Sequence, residues 1–221
     1  MPRDPLVEIA WAAVLLVYIL AVLYSTKKFF KHMTARHNIK TNVAVYYNRK
    51  IIHILAGGVT AFLVPLLFTS PMIPFIMALA IAVMLLIPHR KKSLLNWFQT
   101  SENMFEVNFC FAWGLSLLSV WVLTNNPYYA IIPPSFISIG DAVTGIIRNG
   151  LYGRRTKSWY GNLGMLATTI PIGLYYAGIT GFIAAVVSSI VEHFEIPPFL
   201  DDNVLITLTS SIIIICLNTF A

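Results

Sequence analysis

The chain has 221 residues, 57% of them apolar and only 11% charged, with a mean hydropathy of +0.75 and a formal net charge of +6. Globular proteins carry about 45–50% apolar and about 25% charged residues, so this composition excludes a soluble enzyme, a disordered tail and a disulfide scaffold, and leaves a polytopic membrane protein. Fifteen basic residues against nine acidic ones raise the question of nucleic acid, but their placement follows membrane topology and no nucleic-acid partner is expected.

A helix that crosses a bilayer needs about 20 mostly apolar residues. Eight candidate segments follow in chain order: 6–24, 51–68, 72–88, 105–124, 128–147, 163–177, 180–191 and 204–220. The expected fold is therefore an all-α, polytopic integral membrane helix bundle of about eight transmembrane helices. The first segment is not read as a cleaved signal peptide, because its apolar run is long and lysines follow it rather than a small-residue cleavage site. The sixth and seventh segments are short, and Gly178 and Gly181 between them read as a turn. Cys110 and Cys216 both lie inside apolar runs and suit small core residues rather than a disulfide or metal pair.

Charge orders these segments. Lys27, Lys28, Lys31, Arg36, Lys40, Arg49 and Lys50 follow the first, Arg90, Lys91 and Lys92 the third, and Arg148, Arg154, Arg155 and Lys157 the fifth. Fourteen of the fifteen basic residues thus share one side, which the positive-inside rule makes cytoplasmic; only Arg3 lies opposite.

The polar residues that interrupt the apolar pattern gather toward that side. The second segment opens with Arg49, Lys50 and His53, which share a helix face with Gly57 and suit an anion. Glu106 opens the fourth segment, four residues after Glu102, and reads either as a helix-dipole charge or as a catalytic carboxylate. In the fifth segment Pro133 and Pro134 should break the helix ahead of Gly140 and Asp141. The half-helix that follows puts Asp141, Thr144, Gly145 and Arg148 on one stripe. A carboxylate inside a span costs at least ~2.5–3.5 kcal/mol unless it is partnered or wet, so Asp141 reads as functional, with an Asp141–Arg148 ion pair as the plainer alternative. Phosphates with Mg²⁺ suit a hard oxygen ligand beside bare backbone and a cation. Next come Arg154, Arg155, Lys157 and Ser158 among glycines that include Gly161, a composition that suits a polyphosphate. Glu192 and Asp201-Asp202-Asn203 then place acidic residues on the same side, either as a second metal or hydroxyl site or as a solvated loop in which Asp202 or Asn203 caps the last helix.

In their order these pieces resemble the CTP-dependent lipid-alcohol kinase family of dolichol kinases, phytol kinases and yeast-type diacylglycerol kinases. The matching residues are Arg49-Lys50-x-x-His53-x-x-x-Gly57, Gly140-Asp141-Ala142, Tyr152-Gly153-Arg154, Lys157-Ser158-x-x-Gly161, and Glu192 followed by Asp202-Asn203, spread over positions 46–210. The chain departs from the usual pattern at Tyr160, where an acidic residue is common, and at Asn162, where serine is common. The resemblance implies a single transmembrane kinase domain, with a first span and basic loop over 1–45 and a catalytic core over 46–210. It implies CTP as phosphoryl donor, Mg²⁺, and a long-chain isoprenoid alcohol such as a polyprenol or dolichol as acceptor. On this reading the catalytic candidates are Asp141, His53, Glu106, Glu192 and Asp202, with Asp141 and Asp202 as metal ligands. Arg49, Lys50, Gly140, Thr144, Arg148, Arg154, Arg155, Lys157, Ser158 and Gly161 form the nucleotide site. The competing expectations are a CTP-dependent cytidylyltransferase that makes a CDP-lipid and releases pyrophosphate, and a small transporter with broken helices.

Overall fold

The computed structural model describes residues 4–37, 39–153, 156–194 and 201–219. Among these the chain forms helices and no strand, apart from one isolated bridge between Thr100 and Asn103. Long apolar runs dictate this outcome, because in hydrocarbon every backbone N–H and C=O must find its partner within its own segment. We number the rods α1 (Pro5–Arg36), α2 (Thr41–Leu67), α3 (Met72–Arg90), α4 (Phe105–Thr124), α5 (Pro127–Tyr152), α6 (Trp159–Glu192) and α7 (Asp202–Thr219). The first six are long and apolar enough to cross a membrane, and α7 is a shorter apolar helix. Leu6, Val17, Ile76, Leu115, Val122 and Leu163 are each more than half exposed, an apolar surface that belongs in lipid. The chain is an integral membrane protein by these features.

Six such helices stand where eight apolar segments were expected, because the sixth and seventh segments are joined in α6 and the eighth is the shorter α7. Helical geometry fails inside α6 at Ala177 (φ −136°, ψ 17°) and Gly178 (φ 56°, ψ −133°). A positive φ of that kind is open to glycine and disfavoured for residues with a Cβ. The chain reverses there, so that Gly173 and Gly181 lie backbone against backbone. Asn162 and Ser189, near the far ends of the two arms, hydrogen bond to each other's carbonyls. The rod is a hairpin of arms 159–176 and 179–192.

Two other rods are interrupted near the future site. A π-helical turn occupies His53–Gly58 of α2, and another occupies Phe136–Gly140 of α5. The second follows from Pro133 and Pro134, which lack the N–H groups that would continue the helix, and short turns at Pro127–Ala130 and Ile132–Ser135 precede it. The break expected before Asp141 is therefore present, and a regular helix restarts at Asp141. The two π turns face each other. A Cβ on Gly57 would come within 2.7 Å of Ser138 Oγ, and one on Gly58 within 3.1 Å of Ile139 Cγ1, so bare backbone lets α2 and α5 approach here.

The central rod is α5, with 78% of its apolar window buried, against 22% for α1 and for α3. Its Ile131, Ile132, Phe136 and Ile137 are fully buried together with Leu117 of α4, Met165 of α6 and Ile206 of α7. Among the described residues, Lys27, Arg49, Lys50, Arg148 and Lys157 make their contacts at one end of the bundle. There the loop after α3 packs on α1 and α2: Lys27 Nζ lies 4.8 Å from the Trp97 ring, and Asn48 Nδ2 donates to the Trp97 carbonyl at 2.8 Å. At the opposite end Glu8 of α1 accepts from the Thr69 backbone N–H (2.8 Å) and hydroxyl (2.6 Å), closing α1 over the turn after α2. Single cysteines introduced at Lys31, Lys91 and Thr156 should therefore be labelled from the same side of sealed vesicles. Labelling of one of the three from the opposite side would break this arrangement.

Candidate functional site

The site forms where the first turns of α2, the restarted helix of α5, the end of α6 and the start of α7 converge. On α2, Arg49, Lys50 and His53 are all buried. Arg49 Nε donates to the Phe98 carbonyl at 3.2 Å, and its guanidinium carbon lies 5.6 Å from the Phe105 ring. Lys50 Nζ lies 2.5 Å from Asp141 Oδ2, within reach of the Tyr46 ring at 5.4 Å. His53 Nδ1 is 3.9 Å from the same carboxylate oxygen, and the imidazole stacks on Phe109 at 3.9 Å. Both ring nitrogens of His53 are buried without a hydrogen-bond partner.

The stripe on α5 divides between two neighbours. Asp141 turns to α2, whereas Arg148 turns to α6. Arg148 Nη1 and Nη2 grip Glu192 Oε1 and Oε2 at 2.7 and 2.8 Å, the bidentate geometry that makes arginine–carboxylate pairs strong. Its Nη2 also donates to Asn162 Oδ1 at 2.8 Å and its Nε to the Ser158 carbonyl at 2.9 Å. The Asp141–Arg148 pair considered from the spacing is therefore not made, and the Arg148 guanidinium, assigned to nucleotide on the motif, is committed to α6. Thr144 sends its hydroxyl back to the Gly140 carbonyl at 2.9 Å. Ser158 caps α6 by accepting from the Tyr160 N–H, and Gly161 packs against the Arg148 side chain. Arg154 and Arg155 lie outside the described residues.

Lys157, just ahead of α6, reaches to the end of that helix. Its Nζ donates to the Glu192 carbonyl (2.8 Å) and Oε1 (3.0 Å), and Asp202 Oδ2 is 3.7 Å away. One oxygen each from Asp141, Glu192 and Asp202 fall within 4.8 Å of one another. Carboxylate oxygens are the hard donors that Mg²⁺ prefers, and one or two of these three would suffice beside substrate phosphates, so the residues present fit that ion. Lys50, Arg148 and Lys157 now neutralise these carboxylates.

The helix-capping role considered for Asp202 or Asn203 belongs to Asp201, whose Oδ1 accepts from the Val204 N–H at 3.0 Å. Burial raises the Asp201 carboxyl above its ordinary range, partly offset by the hydrogen bond from Asn108 Nδ2 at 2.9 Å. Glu106 is not brought to the acidic trio. Its Oε1 lies 2.5 Å from His89 Nε2 and accepts from Gln99 Nε2 at 3.0 Å.

Two cavities meet at this site. A polar one of about 270 Å³ is lined by Arg49, Lys50, His53, Asp141 and Asp202, together with Asn149. The Asn149 amide nitrogen, Thr100 hydroxyl and Asn203 amide oxygen on its wall are buried without partners. The other is an apolar slot of about 80 Å³ between α1, α2, α3 and α4, and it shares Arg49 and His53 with the first. Sequence reasoning passed over several residues that matter here. Asn162 donates to Glu192 Oε2 at 3.1 Å, and its departure from the usual serine was the one available signal. His89, in the last turn of α3, and Gln99, in the loop that follows, have no pattern to link them to Glu106.

No family model, no curated protein and no solved structure matches this chain. The family resemblance rests on the ordered motifs.

The Arg148–Glu192 pair provides a test of the network. Removing one partner of a buried ion pair costs about 3–5 kcal/mol, whereas replacing both with apolar groups is often neutral. Arg148→Met should lower the unfolding free energy in detergent by an amount in that range, and Arg148→Met with Glu192→Met should recover most of it. A double-variant loss equal to the sum of the Arg148→Met and Glu192→Met losses would show that the pair is not coupled.

Proposed function

We propose that the protein transfers the terminal phosphoryl group of CTP to the hydroxyl of a membrane isoprenoid alcohol, a polyprenol or dolichol, giving the polyprenyl phosphate and CDP. The observation that carries this reading is the wall shared by the polar cavity and the apolar slot, where Arg49 and His53 face both. A charged donor and an apolar acceptor need such a junction, because one must stay in a polar pocket while the other lies among helices.

Phosphoryl transfer asks a protein for positioning and charge neutralisation more than for covalent chemistry. Asp141, Glu192 and Asp202 would hold Mg²⁺, which supplies charge neutralisation to the phosphates when bound. Lys50 and Lys157 are flexible cations that rest on these carboxylates and can exchange them for phosphate oxygens. Arg49 and His53 stand where the terminal phosphate meets the alcohol. Arg148 holds α5 to α6 and so fixes Glu192 beside the other two carboxylates. With both arms of α6 and α7 each crossing the bilayer, the chain makes eight passes. The basic end is then cytoplasmic, the compartment that supplies CTP.

The test uses the purified protein, CTP or ATP labelled at the terminal or the α phosphate, and a panel of prenols and diacylglycerol. Terminal label should appear on the prenol, with CDP as co-product. Label from the α phosphate on the lipid, with pyrophosphate released, would replace this reading with nucleotidyl transfer; no transfer to any acceptor would overturn both. In the same assay Lys157→Ala should raise the nucleotide KM or lower kcat by about ten- to a hundred-fold, since a charge-assisted hydrogen bond contributes ~1.5–3 kcal/mol. The KM for the prenol should move much less. Unchanged nucleotide kinetics would remove Lys157 from the phosphate site.

A further inference from the structure

The apolar slot has one polar feature that the acidic trio does not use. Glu106, on its wall, is only 4% exposed. Its Oε1 is engaged by His89 and Gln99, but its Oε2 is buried without a partner. The surroundings of Oε1 are fixed. Gln99 Nε2 also donates to the Leu85 carbonyl at 2.9 Å, and Gln99 Oε1 accepts from the Leu95 N–H at 2.9 Å. Those two bonds set the amide orientation, so it is the nitrogen that faces Glu106. The position is near the junction of the two cavities: Glu106 follows Phe105, which lies against Arg49, and precedes by one helical turn Phe109, on which His53 stacks. Buried polar atoms in proteins are satisfied in the great majority of cases. A tie to His89 and Gln99 needs one carboxylate oxygen, and nothing in the packing uses the second.

We infer that Glu106 Oε2 is the subsite for the hydroxyl of the lipid alcohol and the group that takes its proton, with His89 and Gln99 positioning the carboxylate. The inference rests on the phosphotransfer reading above and narrows the base to one residue. The alcohol O–H first donates to Oε2 while its chain lies along the slot. During transfer the O–H bond breaks and the proton passes to Glu106. The alcohol oxygen bonds to the terminal phosphorus, and the bond from that phosphorus to the bridging oxygen breaks. Its electron pair leaves with the nucleoside diphosphate. The other polar groups on the slot wall are Arg49, which is cationic, His53, the Cys110 thiol, the Trp113 indole N–H, which donates to the Gly57 carbonyl, and the Thr60 hydroxyl, which is buried without a partner in the middle of α2.

Two measurements test this. Without nucleotide, geranylgeraniol and its methyl ether compete for the wild-type protein against a photo-crosslinking geranylgeraniol analogue. The ether has no O–H to donate and should compete at least about tenfold more weakly, because a hydrogen bond to a charged group is at stake. With nucleotide, Glu106→Gln should lower kcat by about 10²–10⁴-fold, the usual contribution of general base catalysis, with the nucleotide KM within a few-fold of wild type. A purely structural role for Glu106 would instead leave alcohol and ether equivalent in the wild type, a comparison that needs no variant to fold. Equal competition, or a Glu106→Gln enzyme with kcat within a few-fold of wild type, overturns the inference. The two readings fail separately. A preference for alcohol over ether with no phosphoryl transfer sinks the kinase reading and keeps the subsite, whereas transfer that ignores Glu106→Gln keeps the kinase and sinks the subsite.

Discussion

Three carboxylates drawn from three different elements at one end of a membrane bundle, two of them buried and the third partly so, have to be neutralised, and much of the structure follows from that requirement. Taking an ion out of water costs several kcal/mol even after relaxation, and attraction to a partner repays this only when geometry and hydrogen bonding are good. Asp141, Glu192 and Asp202 meet the requirement through Lys50 of α2, Arg148 of α5 and Lys157 just ahead of α6. Each pair therefore ties two elements together. Lys50–Asp141 joins α2 to α5, and Arg148–Glu192 joins α5 to the second arm of α6. Lys157 links the beginning of α6 to its end and to α7. The cluster that would bind a divalent cation is also the cluster that holds this end of the bundle closed.

The backbone is shaped to allow these meetings. Pro133 and Pro134 interrupt α5 ahead of a π turn, and a second π turn lies opposite on α2. Such turns are rare in helices and frequent at functional sites. Here they lie directly beside the charged residues: His53 opens one, and Asp141 follows the other. The glycines at the contact remove the side chains that would hold the two rods apart. The hairpin in α6 serves the same end from the other side, because only a chain reversal at Gly178 can return Glu192 to the level of Arg148 and Lys157.

The division of polar groups between two cavities separates two kinds of chemistry. Asp141, Asp202 and Lys50 face the polar cavity, whereas Glu106, held by His89 and Gln99, faces the apolar slot. Arg49 and His53 stand between. His53, whose ring nitrogens have no partner, is placed by stacking on Phe109 rather than by hydrogen bonds, which leaves both nitrogens available to whatever occupies the junction.

The sequence by itself determined the solvent of this protein, its helical class and the end at which its charges gather. These are sums over consecutive residues: a run of apolar side chains fixes whether a segment enters lipid, and Pro133-Pro134 or Gly178 breaks a helix wherever the rest of the chain lies. The motif residues Lys50, His53, Asp141, Lys157, Glu192 and Asp202 were legible for the same reason, since charges beside or inside apolar runs are conspicuous. Their partners were not. Helical spacing put Asp141 and Arg148 on one stripe, yet one turns to a residue 91 positions away and the other to a residue 44 positions away. Glu106 and Glu192 looked like equivalent carboxylates, but packing sent one to the slot and the other to the trio. Asn162 gave only a faint signal, and His89 and Gln99 gave none, because a polar side chain acquires its meaning from the helix that happens to lie beside it. That neighbour is set by tertiary packing of whole rods, a long-range choice on which local composition carries no information.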